Sequence, residues 1–214
     1  MIYIEGNKKL TINERNLEKI SAGNYGLIYR DGDKCIKTFY CNIPNRTIEV
    51  LKQIREIDDP YLYRIYSFLY DNFDDSFAGY IMKYYEAIKD NIFTMDPDYF
   101  KNSFFELFRL AKLLGEKGII IYDVYWKNCI LTKDNIVLID CDSYLINQDV
   151  NVACSTNYMQ VYKLFTSILS SEYKKLDLDF RKGINDFRLE ERISLLLHQD
   201  VSKLNEKIID YVRK

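Results

Sequence analysis

The segment from Gly118 to Asp140 constrains what this chain can fold into more than any other part of it. It reads Gly-Ile-Ile-Ile-Tyr-Asp-Val-Tyr-Trp-Lys-Asn-Cys-Ile-Leu, then a turn at Lys133-Asp134-Asn135, then Ile-Val-Leu-Ile-Asp. Short apolar runs bounded by turn residues are the pattern of buried strands. The first run delivers Asp123, a step of five residues reaches Asn128, and the second run ends in Asp140. Oxygen-bearing side chains therefore stand at the ends of apolar strands joined by a hairpin.

The strand pattern continues towards the amino terminus. Strands are expected over 2–5, 10–12, 18–29 and 34–40, with the turn Arg30-Asp31-Gly32-Asp33 between the last two. Asp-Gly between apolar runs is a strong hairpin signal, because glycine tolerates the positive φ of a tight turn. Pro44-Asn45-Arg46-Thr47 opens a helix whose apolar residues Ile48, Leu51, Ile54 and Ile57 recur at helical spacing, and Asp58-Asp59-Pro60 stops it. Two more strands are expected over 61–70 and 78–85, a long amphipathic helix over 99–117, and late helices over 157–170 and 190–213. The fold class is α+β: an antiparallel sheet with one helix in residues 1–85 and a mainly helical part in 86–214, hinged near 83–90 and forming a single domain.

Composition limits the function classes. Of 214 residues 48% are apolar, which excludes a disordered chain. The 30 basic residues are scattered among 32 acidic ones, so no basic stripe predicts nucleic acid as a partner. No apolar run approaches the ~18–20 residues that span a bilayer, and the first residues lack the order of a signal peptide. The expectation is a cytoplasmic protein without a membrane partner. The five cysteines include no C-x-x-C pair and read as reduced thiols. The one histidine, His198, falls in the last expected helix and reads as structural, so any chemistry must run without histidine.

In their order along the chain these features resemble the protein-kinase family. Ser21-Ala22-Gly23-Asn24-Tyr25-Gly26-Leu27-Ile28 is similar to the glycine-rich loop G-x-G-x-x-G-x-V, with Ser21 in place of the first glycine. Without a Cβ, glycines let backbone N–H groups approach phosphate oxygens. Lys37 follows on the next strand, then Glu49 on the helix, the strand Tyr80-Ile81-Met82-Lys83-Tyr84-Tyr85, the long helix, and finally Asp123, Asn128 and Asp140. The resemblance covers about residues 15–170 and implies a bilobal kinase-like fold that binds ATP and Mg²⁺. It implies that Lys37 holds the α- and β-phosphates and pairs with Glu49, with Glu56 the alternative. Met82 takes the gatekeeper position, and the backbone of Lys83, Tyr84 and Tyr85 meets adenine. Asp123 accepts the proton of the attacking hydroxyl, Lys127 neutralises the γ-phosphate, and Asn128 and Asp140 hold the metal. The implied acceptor is a protein serine or threonine. A small-molecule acceptor, as in the aminoglycoside and choline phosphotransferases, and a catalytically silent pseudokinase are the alternatives.

The departures are as specific. H-R-D is replaced by Ile121-Tyr122-Asp123 and D-F-G by Asp140-Cys141-Asp142, where Asp142 could be an auxiliary acid. Tyr125 stands where serine/threonine kinases carry lysine. Gln160-Val161-Tyr162-Lys163-Leu164 resembles the D-V-Y-x-L opening of a supporting helix, with Gln160 or Asn157 in place of its aspartate. No A-P-E motif exists, because the last proline is Pro97, so the usual peptide-docking platform is missing or rebuilt.

Overall fold

The computed structural model describes residues 2–4, 8–10, 17–90 and 97–175. His198 and the helix expected over 190–213 lie outside them. Seven strands, β1 (Ile2–Ile4), β2 (Lys8–Leu10), β3 (Glu18–Ala22), β4 (Gly26–Asp31), β5 (Lys34–Phe39), β6 (Ile65–Asp71) and β7 (Phe77–Lys83), form one sheet in the order β2-β1-β6-β7-β5-β4-β3 with every neighbouring pair antiparallel. The expected strand over 18–29 divides into β3 and β4, where the Gly23 N–H donates to the Gly26 carbonyl at 3.0 Å and turns the chain. The next hairpin turns at Gly32, whose φ of +61° is the left-handed conformation the Asp-Gly pair predicts. Lys37 lies on β5, an inner strand of this sheet between β7 and β4.

Helix α1 (Asn45–Arg55) runs between β5 and β6. Its apolar spacing is expressed as burial of Val50, Leu51 and Ile54, and each such side chain is worth about 1.5–3 kcal/mol when removed from water. That face packs on a short 3-10 turn, Cys141–Ser143, which immediately follows Asp140.

The second half is built on α2 (Pro97–Glu116) and α3 (Val150–Lys175). Phe165 on α3 meets Phe104 and Phe100 on α2 edge to face, at ring separations of 4.5 and 4.8 Å. Between the two helices lie β8 (Ile119–Ile120), β9 (Cys129–Leu131), β10 (Ile136–Leu138) and β11 (Leu145–Ile146). β9 and β10 form the hairpin predicted around Lys133-Asp134-Asn135, and β11 pairs with β8. α3 begins at Val150 and not near Asn157, so the path from Asp140 to the helix is shorter than the sequence suggests. The residues added at its start include exposed Val150 and Val152, which carry no inward-facing stripe to announce a helix.

Backbone bonds join the halves. Leu62 forms a parallel bridge with Leu138, the Tyr63 N–H donates to the Leu138 carbonyl at 3.0 Å, and the Leu138 N–H donates to the Tyr61 carbonyl at 2.8 Å. Arg109 on α2 bonds the largely buried Asp59 at 2.6 Å. All five cysteines are unpaired. No described helix is long and apolar enough to cross a membrane.

Asn157 is the polar centre of the second half. It is fully buried, its Oδ1 accepts the Ile121 N–H at 2.7 Å, and its Nδ2 donates to the carbonyls of Ile119 at 2.8 Å and Ala111 at 3.0 Å. It thereby fixes the backbone two residues ahead of Asp123 and, of the two residues proposed for that position, leaves Gln160 without the role. Asn157→Leu should cost about 3 kcal/mol in urea unfolding, because it removes the buried partner of the Ile121 N–H and the Ile119 carbonyl, whereas Gln160→Leu should cost less than about 0.5 kcal/mol. Equal costs would show that the buried amide is not what holds this loop.

Candidate active site

A cleft of about 650 Å³ lies between the sheet and the hairpin β9–β10, within the size range of small-molecule sites. Ser21 from β3 and Gly23 from the β3–β4 turn line it, as do Lys37, Met82, Lys83, Tyr84, Tyr85, Asp123, Lys127, Asn128 and Asp140. Gly26 does not. A side chain there would strike the Thr38 carbonyl of β5, so this glycine serves the close approach of two strands and not a ligand.

Glu49 is likewise outside the cleft. It is exposed on α1 and lines a separate surface depression with Lys52 and Asn42. Glu56 is exposed too and bonds Arg55. The partner of Lys37 is therefore not on the helix. Lys37, 7% exposed, donates to Asp140 Oδ1 at 2.5 Å and to Asp142 Oδ2. The other oxygen of Asp142 accepts the Tyr80 hydroxyl at 2.8 Å, and the Tyr63 hydroxyl lies 3.5 Å behind it. Burial acts to lower the pKa of the Lys37 ammonium, but the carboxylates of Asp142 and Asp140 outweigh it and leave it raised. Burial raises the Asp142 carboxyl against the pull of Lys37, and it raises both phenols far enough that they stay protonated donors.

The carboxylate and amide at the cleft floor are held by backbone geometry. Asp123 and Asp140 adopt left-handed conformations, with φ of +54° and +60°. Such conformations are costly for residues with a Cβ and are tolerated by aspartate more than by most. Asn128 donates its Nδ2 to the Asp123 carbonyl at 2.7 Å, which leaves its Oδ1 free, and its own carbonyl accepts the Ile139 N–H at 3.0 Å. Among the described residues no cluster of three or more Asp, Glu, His or Cys side chains forms a metal cage. Asn128 and Asp140 both line the cleft; magnesium keeps several waters and takes only one or two protein ligands beside phosphate oxygens, so a site for it would not need such a cage.

At the other end of the cleft the lining is apolar. Ile28 and Cys35 come from the sheet, and Ile130 and Ile139 from the hairpin and its end. None of the four was assigned a role from the sequence, although Cys35 is two residues before Lys37 and so shares its face of the strand. Burial pushes the Cys35 thiol up to about 11, with Arg30 opposing, so it behaves as an apolar wall. The Lys83 and Tyr84 N–H groups are bonded to the carbonyls of Arg64 and Asp33, while the Tyr85 N–H has no partner among the described residues. Lys127 is exposed at the mouth over the Trp126 ring. No protein-family model matches the chain, and no curated protein is significantly similar to it.

The ion cluster makes a stability prediction that separates its members. Lys37→Met leaves the Asp142 carboxylate buried without its cation and should cost about 3–5 kcal/mol, of which the double variant Lys37→Met/Asp142→Asn recovers more than half. Glu49→Ala should change stability by less than about 0.5 kcal/mol. Urea unfolding of the four proteins measures this, and a large cost at Glu49 would return the partner to α1.

Proposed function

We propose that this protein is an ATP- and Mg²⁺-dependent phosphotransferase of the protein-kinase-like superfamily, with its bilobal fold, and that it transfers the γ-phosphoryl group of ATP to a hydroxyl. One observation carries the reading. Of thirteen residues singled out for nucleotide, metal or catalysis from their order in the sequence, eleven line a single cleft, and the two that do not are Gly26 and Glu49. These residues are drawn from positions as far apart as Ser21 and Asp140, and their convergence on one cleft supports the reading.

In this reading the adenine ring lies between Ile28 and Cys35 on one side and Ile130 and Ile139 on the other, and the Tyr85 N–H donates to its edge. Lys37 faces the α- and β-phosphates, and Asp142, not a helix glutamate, sets its position. The Gly23 backbone covers the phosphates; a Cβ there would meet nothing within 4 Å, so the space above it is open. Asn128 and Asp140 would hold Mg²⁺, which neutralises charge shared among the phosphate oxygens. Asp123 orients the acceptor hydroxyl and takes its proton, and Lys127 sits where it can face the transferred group.

Asp123→Asn should leave ATP affinity within about twofold and lower turnover by roughly 10²–10⁴, the range for loss of a positioned general base. Turnover unchanged in this variant would remove Asp123 from the chemistry. In calorimetry, ATP affinity should fall by at least about tenfold when Mg²⁺ is replaced by EDTA, and Asp140→Ala should lose most of the difference. Equal affinities in all three conditions would remove the metal site.

A further inference from the structure

A second cleft, of about 350 Å³, opens beside the first. The two share Tyr25, Asp123 and Asp140 and none of the residues around the apolar end. It therefore begins where the γ-phosphate would lie and leads away from the nucleotide. Transfer with attacking and leaving oxygens in line needs the acceptor to reach phosphorus from such a side. Between Asp140 and α3 the chain forms only the 3-10 turn and β11, and residues of both line this cleft with residues of the connection between β5 and α1.

The cleft is lined by the carboxylates of Asp123, Asp140 and Asp142, the latter two bonded to Lys37, and also by apolar and cationic groups. Phe39 from the end of β5, Ile43 from that connection and Leu145 from β11 are apolar. Arg46, in the first turn of α1, also lines the cleft and forms no ion pair among the described residues. An arginine beside a cavity gains most from a carboxylate or phosphate, which can form paired, charge-assisted hydrogen bonds with it. The volume equals that of about a dozen water molecules, more than one serine or threonine side chain fills. An extended peptide would need a sheet edge or groove to lie along, and β11 is two residues long.

We propose that this cleft is the acceptor site, and that the acceptor is a small hydroxylated molecule with an apolar body and an anionic group, not a polypeptide. The inference rests on the phosphotransferase reading. The acceptor oxygen forms its bond to the γ-phosphorus while the bond from that phosphorus to the β,γ-bridging oxygen breaks. The electron pair of the broken bond leaves on ADP, and the hydroxyl proton passes to the Asp123 carboxylate. Arg46 holds the anionic end, so that the hydroxyl points to Asp123.

The test gives the full chain labelled ATP and Mg²⁺ together with either the low-molecular-weight filtrate of a cell extract or its dialysed protein retentate. Label should appear on an anionic small molecule from the filtrate and not on retentate protein. Arg46→Glu, which reverses the charge, and Thr47→Trp, which fills the cleft, should each raise the apparent KM for the active filtrate at least about tenfold, while ATP affinity by calorimetry stays within about twofold. Label on retentate protein alone, or filtrate labelling that neither variant alters, would overturn the acceptor assignment and leave phosphoryl transfer standing. Label in neither fraction, from a protein that binds ATP in a Mg²⁺-dependent way, would overturn the phosphotransferase reading as well.

Discussion

Lys37 is tied to two carboxylates that both belong to one short loop, and the relation of sheet to helices depends on that tie. β5, an inner strand of the sheet, brings the ammonium, the residues just after β10 bring Asp140, and the turn after it brings Asp142. Taking these charges out of water is expensive, and only close pairing offsets the cost, so the loop and strand cannot slide without leaving a charge bare. Tyr80 on β7 closes the arrangement by donating to Asp142. With the carboxylates supplied from the loop, α1 is released from electrostatic duty and acts as packing: Val50, Leu51 and Ile54 press on the loop that holds the acids.

Much of this was readable from the residues. The Asp-Gly hairpin at Gly32, the core stripe of α1 and the wide apolar face of α2 follow from local rules that need only neighbouring residues. The convergence of Lys37, Asp123, Asn128 and Asp140 on one cleft was readable from order and spacing. The partner of Lys37 was not, because Asp142 is 105 positions away and spacing along a chain carries no information on a contact of that kind. The helix itself held a warning. Its buried stripe at Val50, Leu51 and Ile54 leaves Glu49 and Glu56 on the water side, so phase argued against them where family order argued for Glu49.

Asn157 and Gln160 illustrate a different limit. Residues three apart share a helix face, so a periodic pattern cannot choose between them. What decides is which one meets backbone groups that have no other partner, and that depends on where β8 ends. The apolar end of the cleft was missed for a simpler reason. Ile28, Cys35, Ile130 and Ile139 look like core residues in a sequence, and only the gap between the two halves separates a core wall from a binding wall.

The left-handed backbones of Asp123 and Asp140 set stability against chemistry at the same two residues. At Asp123 glycine would release conformational energy on the order of 1–2 kcal/mol, whereas at Asp140 the same change would also take a carboxylate away from the buried Lys37. A search for more heat-resistant versions of this protein would be drawn to Asp123 early, and that gain would delete a carboxylate from the floor of the cleft. Variants selected for durability alone should thus drift toward a cleft that keeps its walls and loses the carboxylate at its floor.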